Sequence, residues 1–405
     1  MIALADAQAR VLSACPVRPG LATPLAECLG LVTSAPVVAR ENVPPFANTA
    51  MDGFAVRAAD TVAAPVELRQ AGTLAAGADP TPFEVGPGEA VQIMTGAPIP
   101  AGADAIVMVE RTSAAASADH VVIDQVATVG DHIRPAAEDI ASGQQVFEAG
   151  TVLGPGHLGV LASVGLTAAE VHPRLRVGVL STGDELVDGD SPLGPGQIRD
   201  ANRRSLLALV QSNQCVAVDL GIVSDDEAAI EAAIDRAVST CDALITSGGV
   251  SMGEFDYVRA VLDRRAEGGM SWMQVAIRPA KPLSFGVVGG VPVFGLPGNP
   301  VSSMVSFELF ARPALRQMMG HRQPHRPLIT GVADAALRRG PDGKTHFARV
   351  HANYDDTSGR WRVRESGGQA SNLLRAMAQA NALAVLADGD GVSEGDPVGL
   401  LLFDP

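Results

Sequence analysis

Five apolar runs decide the fold: RVGVLS (176–181), VAVDLGIV (216–223), ALITS (243–247), MQVAI (273–277) and VPVFG (291–295). Their length and their content of Val, Ile and Leu are typical of buried strands. Segments with a helical pattern alternate with them, at 201–213, 225–239, 255–265 and 301–318. Repeated strand–helix units of this kind predict a mostly parallel, doubly wound α/β sheet over residues 171–325.

The chain on either side of this α/β domain has a different pattern. Residues 45–139 carry short β-like runs between turns, which predicts an inserted β domain. Residues 1–44, with a helix at 4–14, and the glycine-rich residues 140–170 flank the insertion and are expected to form one N-terminal region. A proline-rich stretch, HRQPHRP, then leads into residues 326–405, whose strands and turns predict a small C-terminal β domain.

Composition excludes several classes of partner. The 405 residues are 47% hydrophobic, yet no apolar stretch approaches the roughly 20 residues of a membrane span. Asp6 and Arg10 interrupt the first helix, so it lacks the core of a signal peptide, and the four scattered cysteines are typical of a reducing compartment. We therefore expect a cytoplasmic protein. The net charge of −15 disfavours nucleic acid and anionic membranes as partners, and an anionic substrate would need a locally positive or amide-lined pocket.

Carboxylates follow three of the predicted strands. The groups are Asp184 and Glu185 after 176–181, Ser224, Asp225 and Asp226 after 216–223, and Ser251, Glu254 and Asp256 after 243–247. Ligands of open α/β sheets bind beyond the carboxyl ends of the strands. Helix capping explains each acid alone, but close carboxylates repel one another unless a cation lies among them. The pattern therefore predicts a hydrated Mg²⁺ that bridges a phosphate ester.

The turn SGGVSMG has the features of a phosphate-binding loop. Ser247, Gly248 and Gly249 lie between a predicted strand and a helix, where backbone amides can approach an anion. A tight strand–helix connection explains these glycines equally well.

The segment GLPGNPVSS has the features of a rigid oxyanion cradle. Pro297 stiffens the approach, and Asn299 is expected to cap a helix that has Pro300 at its first position. Ser302 and Ser303 then lie in the first turn, where their hydroxyls are expected beside free amides.

The segment IRPAKP places two cations in a loop that its prolines hold extended, Arg278 and Lys281. Of the 30 basic residues other than histidine only two are lysines, Lys281 and Lys344. A lysine kept against such a bias is expected where a compact ammonium is needed. Arg278 and Lys281 therefore favour an oxyanion ligand over a solvated surface.

The chain resembles the MoeA and gephyrin E-domain family of molybdopterin molybdenumtransferases from about residue 4 to 403. Eight motifs in the same order carry the resemblance: VPPFANTAMDGFAV (43–56), VQIMTGAPIPAGADAIV (91–107), GDHIRPAAEDI (130–140), LSTGDELV (180–187), GQIRDAN (196–202), TSGGVSMGEFDYV (246–258), RPAKP (278–282) and GLPGNPVSS (295–303). It implies an elongated N-terminal dimerisation domain, an inserted β domain, a MoaB/Mog-like α/β domain and a C-terminal β barrel. It also implies a homodimer whose active site joins one subunit's α/β domain to its partner's N-terminal half.

The resemblance implies adenylylated molybdopterin and molybdate as substrates, and AMP and the molybdenum cofactor as products. Metal and nucleotide phosphates would be bound by Glu185, Asp225, Ser251 and Asp256, and molybdate by Lys281, Pro282 and Ser302. Further site residues would be Asp52, Thr95, Arg134 and Asp139 of the inserted domain, and Arg349 and Ser371 of the C-terminal domain. The resemblance also implies two kinds of protein partner, the molybdopterin adenylyltransferase and the molybdoenzymes that accept the cofactor.

Three positions depart from the family pattern. Ala47 stands where the family has Asp, and Arg278 and Ala280 replace the Lys and Gly of KPGKP. Charge is kept at 278, with a different geometry. Ala280 restricts a backbone that Gly would leave free, which matters only if this position needs a positive φ.

Two other functions compete with molybdenum insertion. The α/β domain alone could adenylylate molybdopterin, as Mog-type proteins do, and ATP consumption without molybdate would support that activity. A scaffold role like that of gephyrin is the second, and it is disfavoured because the chain has no long linker or appended partner domain.

Overall fold

The computed structural model describes residues 1–248 and 257–403, and the chain divides into two compact units. The first, here called the larger unit, contains residues 1–21, 30–34 and 171–405, and its first helix is α1 (Leu4–Ser13). The second, here called the insert unit, contains residues 22–29 and 35–170. Among the described residues, no helix is long and apolar enough to cross a membrane.

The insert unit is built from short strands and one helix. Its elements are β1 (Leu21–Pro24), β2 (Val37–Val38), β3 (Asn48–Thr49), β4 (Gly53–Val56), β5 (Val66–Leu74), β6 (Glu89–Ile93), β7 (Ala105–Met108), β8 (Thr112–Ala114), β9 (His120–Ile123), β10 (Ile133–Arg134), β11 (Gln145–Phe147), α2 (Pro155–Ser163) and β12 (Ala168–Val171). Six strands form one sheet in the order β7-β4-β6-β5-β9-β8. Successive side chains of β4 enter opposite cores, Phe54 and Val56 one and Ala55 the other, so both faces of the sheet are buried.

Three two-stranded pairings lie outside this sheet: β1 with β12, β2 with β11 and β3 with β10. Each joins a segment before residue 50 to one after residue 132, so the chain returns to its starting region after the six-stranded sheet. Helix α2 packs beside the short 3₁₀ turn Leu25–Glu27.

The α/β domain of the larger unit alternates strands and helices. Its elements are β13 (Arg176–Thr182), β14 (Leu186–Val187), β15 (Ile198–Arg199), α3 (Ala201–Ser212), β16 (Val216–Val223), α4 (Glu227–Thr240), β17 (Ala243–Ser247), α5 (Tyr257–Arg265), β18 (Ser271–Gln274), β19 (Ile277–Arg278), β20 (Pro282–Val288), β21 (Val291–Leu296), α6 (Pro300–Ser306) and α7 (Arg312–Met318). The sheet order is β16-β13-β17-β21-β20-β18, and its first four strands are parallel. The prediction of a doubly wound α/β domain is confirmed.

Helices cover both faces of this sheet. Val177, Val179 and Phe294 join one core with α1, α3, α6 and α7, whereas Leu180 and Leu244 join another with α4 and α5. Burial on both faces is the reason that the strands read as nearly continuous apolar runs.

The structure corrects three details of the predicted α/β domain. The hairpin of β20 with β21, which turns at Gly289 and Gly290, was not predicted, although two glycines with positive φ are a recognised hairpin signal. The predicted strand 273–277 is broken, because the Val275 N–H bonds to the Lys281 carbonyl and the chain turns away. The predicted helix 301–318 contains a π-helical turn, Phe307–Ala311, between α6 and α7.

The C-terminal domain is a closed five-stranded barrel. Its elements are β22 (Ile329–Ala333), β23 (Leu337–Arg338), β24 (Thr345–Asp355), β25 (Arg360–Glu365), α8 (Leu374–Ala378), β26 (Ala382–Leu386), β27 (Gly391–Val392) and β28 (Pro397–Leu402). The ring runs β24-β25-β22-β28-β26 and closes through β24 with β26, which leaves no free edge among these strands. Strand β19 of the α/β domain pairs with β24, so the two domains are joined by main-chain hydrogen bonds.

Candidate active site

A cavity of about 420 Å³ opens in the larger unit, between the turn 277–282, the start of α6 and the barrel. Seven residues proposed from the sequence line it: Arg278, Lys281, Pro282, Pro297, Asn299, Ser302 and Ser371. Barrel residues that were not proposed line it too, namely Lys344, Gln369 and Asn372. We call this space the oxyanion cavity.

The start of α6 presents polar groups to the oxyanion cavity. Asn299 occupies the N-cap position and Pro300 the first turn of the helix, as predicted, but the Asn299 side chain makes no cap hydrogen bond. Asn299 is one of the residues that line the cavity. Ser302 is 6% exposed and lines the cavity, whereas Ser303 is fully buried and is not among the lining residues.

Asn202 positions the loop that leads to α6. Its Nδ2 donates to the Ser247 Oγ at 2.8 Å and to the Gly298 carbonyl at 2.7 Å. It thereby ties the end of β17 to the loop after β21. Asn202 lies in the GQIRDAN motif but was not proposed as a site residue, since its role depends on two segments that meet only in the folded chain.

The turn after β19 directs Lys281 into the cavity. Ala280 has φ +72° and is 2% exposed. The position at which the family has Gly therefore does adopt a left-handed backbone, which Gly accepts more readily than Ala. The Lys281 carbonyl accepts the Val275 N–H at 2.8 Å, which closes the turn. The side chain of Lys281 is exposed at the cavity wall.

Arg278 and Lys344 share one carboxylate, Asp342. The Lys344 Nζ lies 3.0 Å from Asp342 Oδ2, and the Arg278 Nη1 lies 3.7 Å from the same oxygen. His346 Nε2 lies 3.1 Å from Oδ1. The hydrogen bond from Lys344, with the one to His346, holds the pKa of Asp342 at about 2, so this carboxylate stays ionised.

Arg349 is 1% exposed and supports the cavity wall from behind. Its Nη2 donates to the Gly368 and Ala370 carbonyls, each at 3.2 Å, and burial lowers its pKa to about 10. It lines a second cavity of about 350 Å³, which it shares with Arg278. The adjoining Ser371 accepts the Val301 N–H at 3.1 Å through its carbonyl, so this segment docks against the start of α6.

The strand-end acids lie in neighbouring loops of the α/β sheet. Asp184, Glu185 and Asp225 are exposed, and the Asp225 N–H donates to Asp184 Oδ1 at 3.2 Å. Capping is confirmed for Asp226, which accepts the Ala229 N–H at 2.9 Å as the cap of α4. The Asp225 carboxylate is not that cap and remains a candidate ligand.

The third acidic loop is only partly described. Ser247 is buried at the end of β17, and Gly248 has φ +94°, with its N–H bonded to the Leu296 carbonyl. The other proposed residues of this loop lie outside the described residues: Gly249, Ser251, Glu254 and Asp256. Within residues 1–248 and 257–403, no group of three His, Cys, Asp or Glu side chains could hold a metal ion. Oxygen donors at two neighbouring strand ends nevertheless fit the ligand preference of Mg²⁺.

The insert unit brings Asp52 and Thr95 into direct contact. The Asp52 Oδ1 accepts the Thr95 N–H at 2.6 Å and its Oγ1 at 2.7 Å. The hydrogen bond from the Thr95 N–H has the larger effect and the one from the Thr95 hydroxyl the smaller, and together they lower the pKa of Asp52 below its usual range. Both residues are exposed, so an ionised carboxylate is presented on the surface of this unit.

Arg134 and Asp139 of the insert unit are also exposed. Arg134 pairs with Asn48 in the short ladder β10–β3, and the Asp139 N–H donates to the Val43 carbonyl at 2.9 Å. Ala47, the departure from the family pattern, accepts the Ile99 N–H through its carbonyl, a contact that needs no particular side chain.

Three family models match the chain in sequence order: MoeA N-terminal region (domain I and II) over residues 2–165, probable molybdopterin binding domain over 178–317, and MoeA C-terminal region (domain IV) over 333–403. Molybdopterin molybdenumtransferase 2 of Mycobacterium tuberculosis is 43% identical, over 93% of this chain and 92% of the relative. The chain belongs to the MoeA family.

Other members of the MoeA family support the assignment. Molybdopterin molybdenumtransferase of Haemophilus influenzae is 37% identical, over 94% of this chain and 93% of the relative. A crystal structure of a molybdopterin biosynthesis MoeA protein from Pyrococcus horikoshii matches with a TM-score of 0.78 at 26% identity, over 100% of both chains. The family resemblance expected from the motifs is thus confirmed over nearly the whole chain.

Proposed function

We propose that this chain inserts molybdenum into molybdopterin. The observation that carries the proposal is the oxyanion cavity, whose lining includes the cations Arg278 and Lys281 together with Ser302 and Asn299. Cations with hydroxyl and amide donors match the oxygens of a tetrahedral dianion such as molybdate. MoeA relatives named molybdopterin molybdenumtransferase support the same activity.

The second substrate is adenylylated molybdopterin, and AMP is its leaving group. Hydroxyls of Ser247 and Ser251 and the backbone amide of Gly249 would hold the phosphates, whereas the Gly248 N–H is already donated to the Leu296 carbonyl. The turn that contains these residues follows β17, next to the loop that carries Asp184 after β13. Cleavage of the phosphate link and capture of molybdenum then occur side by side, which limits exposure of the dithiolene to water.

Mg²⁺ would be held by Glu185, Asp225 and Asp256. When bound, it would neutralise the phosphate oxygens and polarise the link to AMP. Asp184 would help to position Asp225, since its carboxylate accepts the Asp225 N–H at 3.2 Å. Asp52 stays ionised through Thr95, and together they would contribute a fixed acceptor and a hydroxyl to the site.

The chain would work as a homodimer, with the insert unit of one subunit completing the site of its partner. The matching experiment mixes inactive Asp52→Asn chains with inactive Asp256→Ala chains. Partial recovery of activity is expected, because a mixed dimer has one site with both native residues. No recovery despite demonstrated subunit exchange would place the whole site within one chain.

Incubation of the protein with adenylylated molybdopterin, Mg²⁺ and molybdate, followed by AMP release, tests the function directly. Lys281→Gln is expected to weaken molybdate binding about 10- to 150-fold while AMP binding changes little, because the loss of a charge-assisted hydrogen bond costs about 1.5–3 kcal/mol. Lys281→Arg should rescue only in part, since a planar fork differs from a compact ammonium. Equal losses for both ligands would refute the molybdate role, and ATP consumption without molybdate would indicate an adenylyltransferase instead.

A further inference from the structure

The two lysines of the chain, Lys281 and Lys344, line the same cavity. They are 63 positions apart in sequence, and one belongs to the turn after β19 and the other to the loop before β24. In a chain that has only two lysines among 30 Lys and Arg residues, their meeting at one cavity requires an explanation.

The charged residues that line the oxyanion cavity are all cations. Arg278, Lys281 and Lys344 contribute three positive charges, and none of the described lining residues is acidic. The whole chain carries −15, so this concentration is local and opposes the overall charge. Asp342 neutralises part of this charge, but three cations against one carboxylate leave a net positive charge around a partly enclosed space, which favours the entry of an anion.

The backbone of Lys344 is fixed on both sides. Its carbonyl accepts from Arg339 Nη2 at 3.0 Å, and the next residue, Thr345, donates its N–H to the Ala276 carbonyl at 3.0 Å. The preceding Gly343 donates its N–H to Asp388 Oδ1 at 3.1 Å. The position of Lys344 beside the turn 277–282 is therefore set by the fold and does not depend on its ammonium group.

The ammonium of Lys344 has a replaceable partner. Its Nζ bonds to Asp342 Oδ2 at 3.0 Å, and the side chains of both residues are about one-fifth exposed. Asp342 also faces Arg278 at 3.7 Å and His346 at 3.1 Å, so it would keep neighbouring donors if the lysine turned away. A flexible four-carbon side chain can exchange one oxygen acceptor for another at little cost.

We propose that Lys344 is a second ammonium ligand of the substrate oxyanion, and that Asp342 holds it in place until the anion enters. This deepens the proposed function and rests on it, because it concerns the same oxyanion cavity. The barrel thereby supplies a charged ligand to the substrate in addition to the polar groups of residues 369–372. Asp342 competes with the oxyanion for Lys344, so the carboxylate lowers the affinity that the lysine raises.

Equilibrium dialysis with molybdate, on the full-length protein, tests the proposal with four variants. Lys344→Gln is expected to raise the Kd for molybdate about tenfold, and Lys344→Arg to raise it less. Asp342→Asn is expected to lower the Kd about threefold, because the competing carboxylate is removed. Arg360→Gln, which removes one exposed charge from the same barrel, is the matched control and should change the Kd less than about twofold.

The same measurements distinguish a Lys344 that binds the anion from a Lys344 that only forms a structural ion pair with Asp342. If the pair only stabilises the loop, Lys344→Gln and Asp342→Asn will lower the thermal midpoint alike and leave the Kd unchanged, which overturns the proposal. If Lys344→Gln does not fold, the opposite shifts expected for Lys344→Arg and Asp342→Asn still decide. Wild-type protein that binds no molybdate would refute the proposed function as well, whereas normal binding by Lys344→Gln would refute only the role of Lys344.

Discussion

Ala280 gives the sharpest test of the turn that carries Lys281. Its φ of +72° lies in the left-handed region, which costs a non-glycine residue about 1–2 kcal/mol. Ala280→Gly removes this strain, but it adds about 0.5–1 kcal/mol of chain entropy. It also removes one buried methyl group worth about 0.8 kcal/mol. These contributions nearly cancel, so the free energy of unfolding should stay within about 1 kcal/mol of wild type.

Ala280→Val should behave in the opposite way. A β-branched side chain is a poor fit to the left-handed region, and the residue is 2% exposed within the main core. Overpacking alone costs about 1–3 kcal/mol, so we expect a loss of at least about 2 kcal/mol together with weaker molybdate binding, because Lys281 is the next residue.

Urea denaturation of the variants, with circular dichroism as the signal, measures both effects. Ala384→Gly is the matched control, since Ala384 is fully buried in strand β26 of the same unit and is not among the positive-φ residues. At Ala384 no relief of backbone strain offsets the lost methyl group and the added chain entropy. The free energy of unfolding is therefore expected to fall by about 1–2 kcal/mol. The reasoning fails if Ala280→Gly costs as much as this control, or if Ala280→Val is tolerated.

Three further predictions follow from the site and its surroundings. Asp225→Ala should nearly abolish Mg²⁺-dependent AMP release and leave the circular dichroism spectrum unchanged, since the residue is exposed; wild-type turnover would exclude it as a metal ligand. Asn202→Ala should lower the unfolding free energy by about 1–3 kcal/mol, because the buried Ser247 hydroxyl loses its donor; denaturation with an unchanged midpoint would contradict this. Burial lowers the pKa of His321 from 6.5 to about 4, so the folded state binds fewer protons than the unfolded state and stability should fall by about 1–3 kcal/mol as pH drops from 6.5 to 4. His321→Gln should flatten that dependence in pH-resolved melting curves, and an unchanged slope would refute it.

The parallel strands could be predicted because burial on both faces leaves a continuous apolar signal. Strands β16 and β17 match the predicted ranges 216–223 and 243–247 at both ends. Strand β20 was missed since it begins at a proline, and its place in the sheet depends on pairing with both an earlier strand, β18, and a later strand, β21. The π-helical turn at 307–311 was not predictable from periodicity, because its side chains are all buried and show no polar face.

The residues of the oxyanion cavity could be predicted only when they lie close together in the sequence. Arg278 and Lys281 are three positions apart, and a local argument about prolines and charge was sufficient to propose them. Lys344 was noticed as a rare residue but had no assigned place, since only the pairing of β19 with β24 brings it to the turn. Asn202 depends likewise on a contact across 96 positions.

The origin of the cavity wall bears on which reaction the chain performs. Lys344, Gln369 and Ser371 come from the barrel, whereas Lys281 and Ser302 come from the α/β domain. An α/β domain by itself would keep the strand-end acids and the glycine-rich segment, which we propose as the ligands of the nucleotide phosphate, but it would lose one side of the oxyanion cavity. The barrel packed over α6, with a lysine held beside the turn 277–282, therefore favours a reaction that consumes an oxyanion over one that consumes a nucleotide alone.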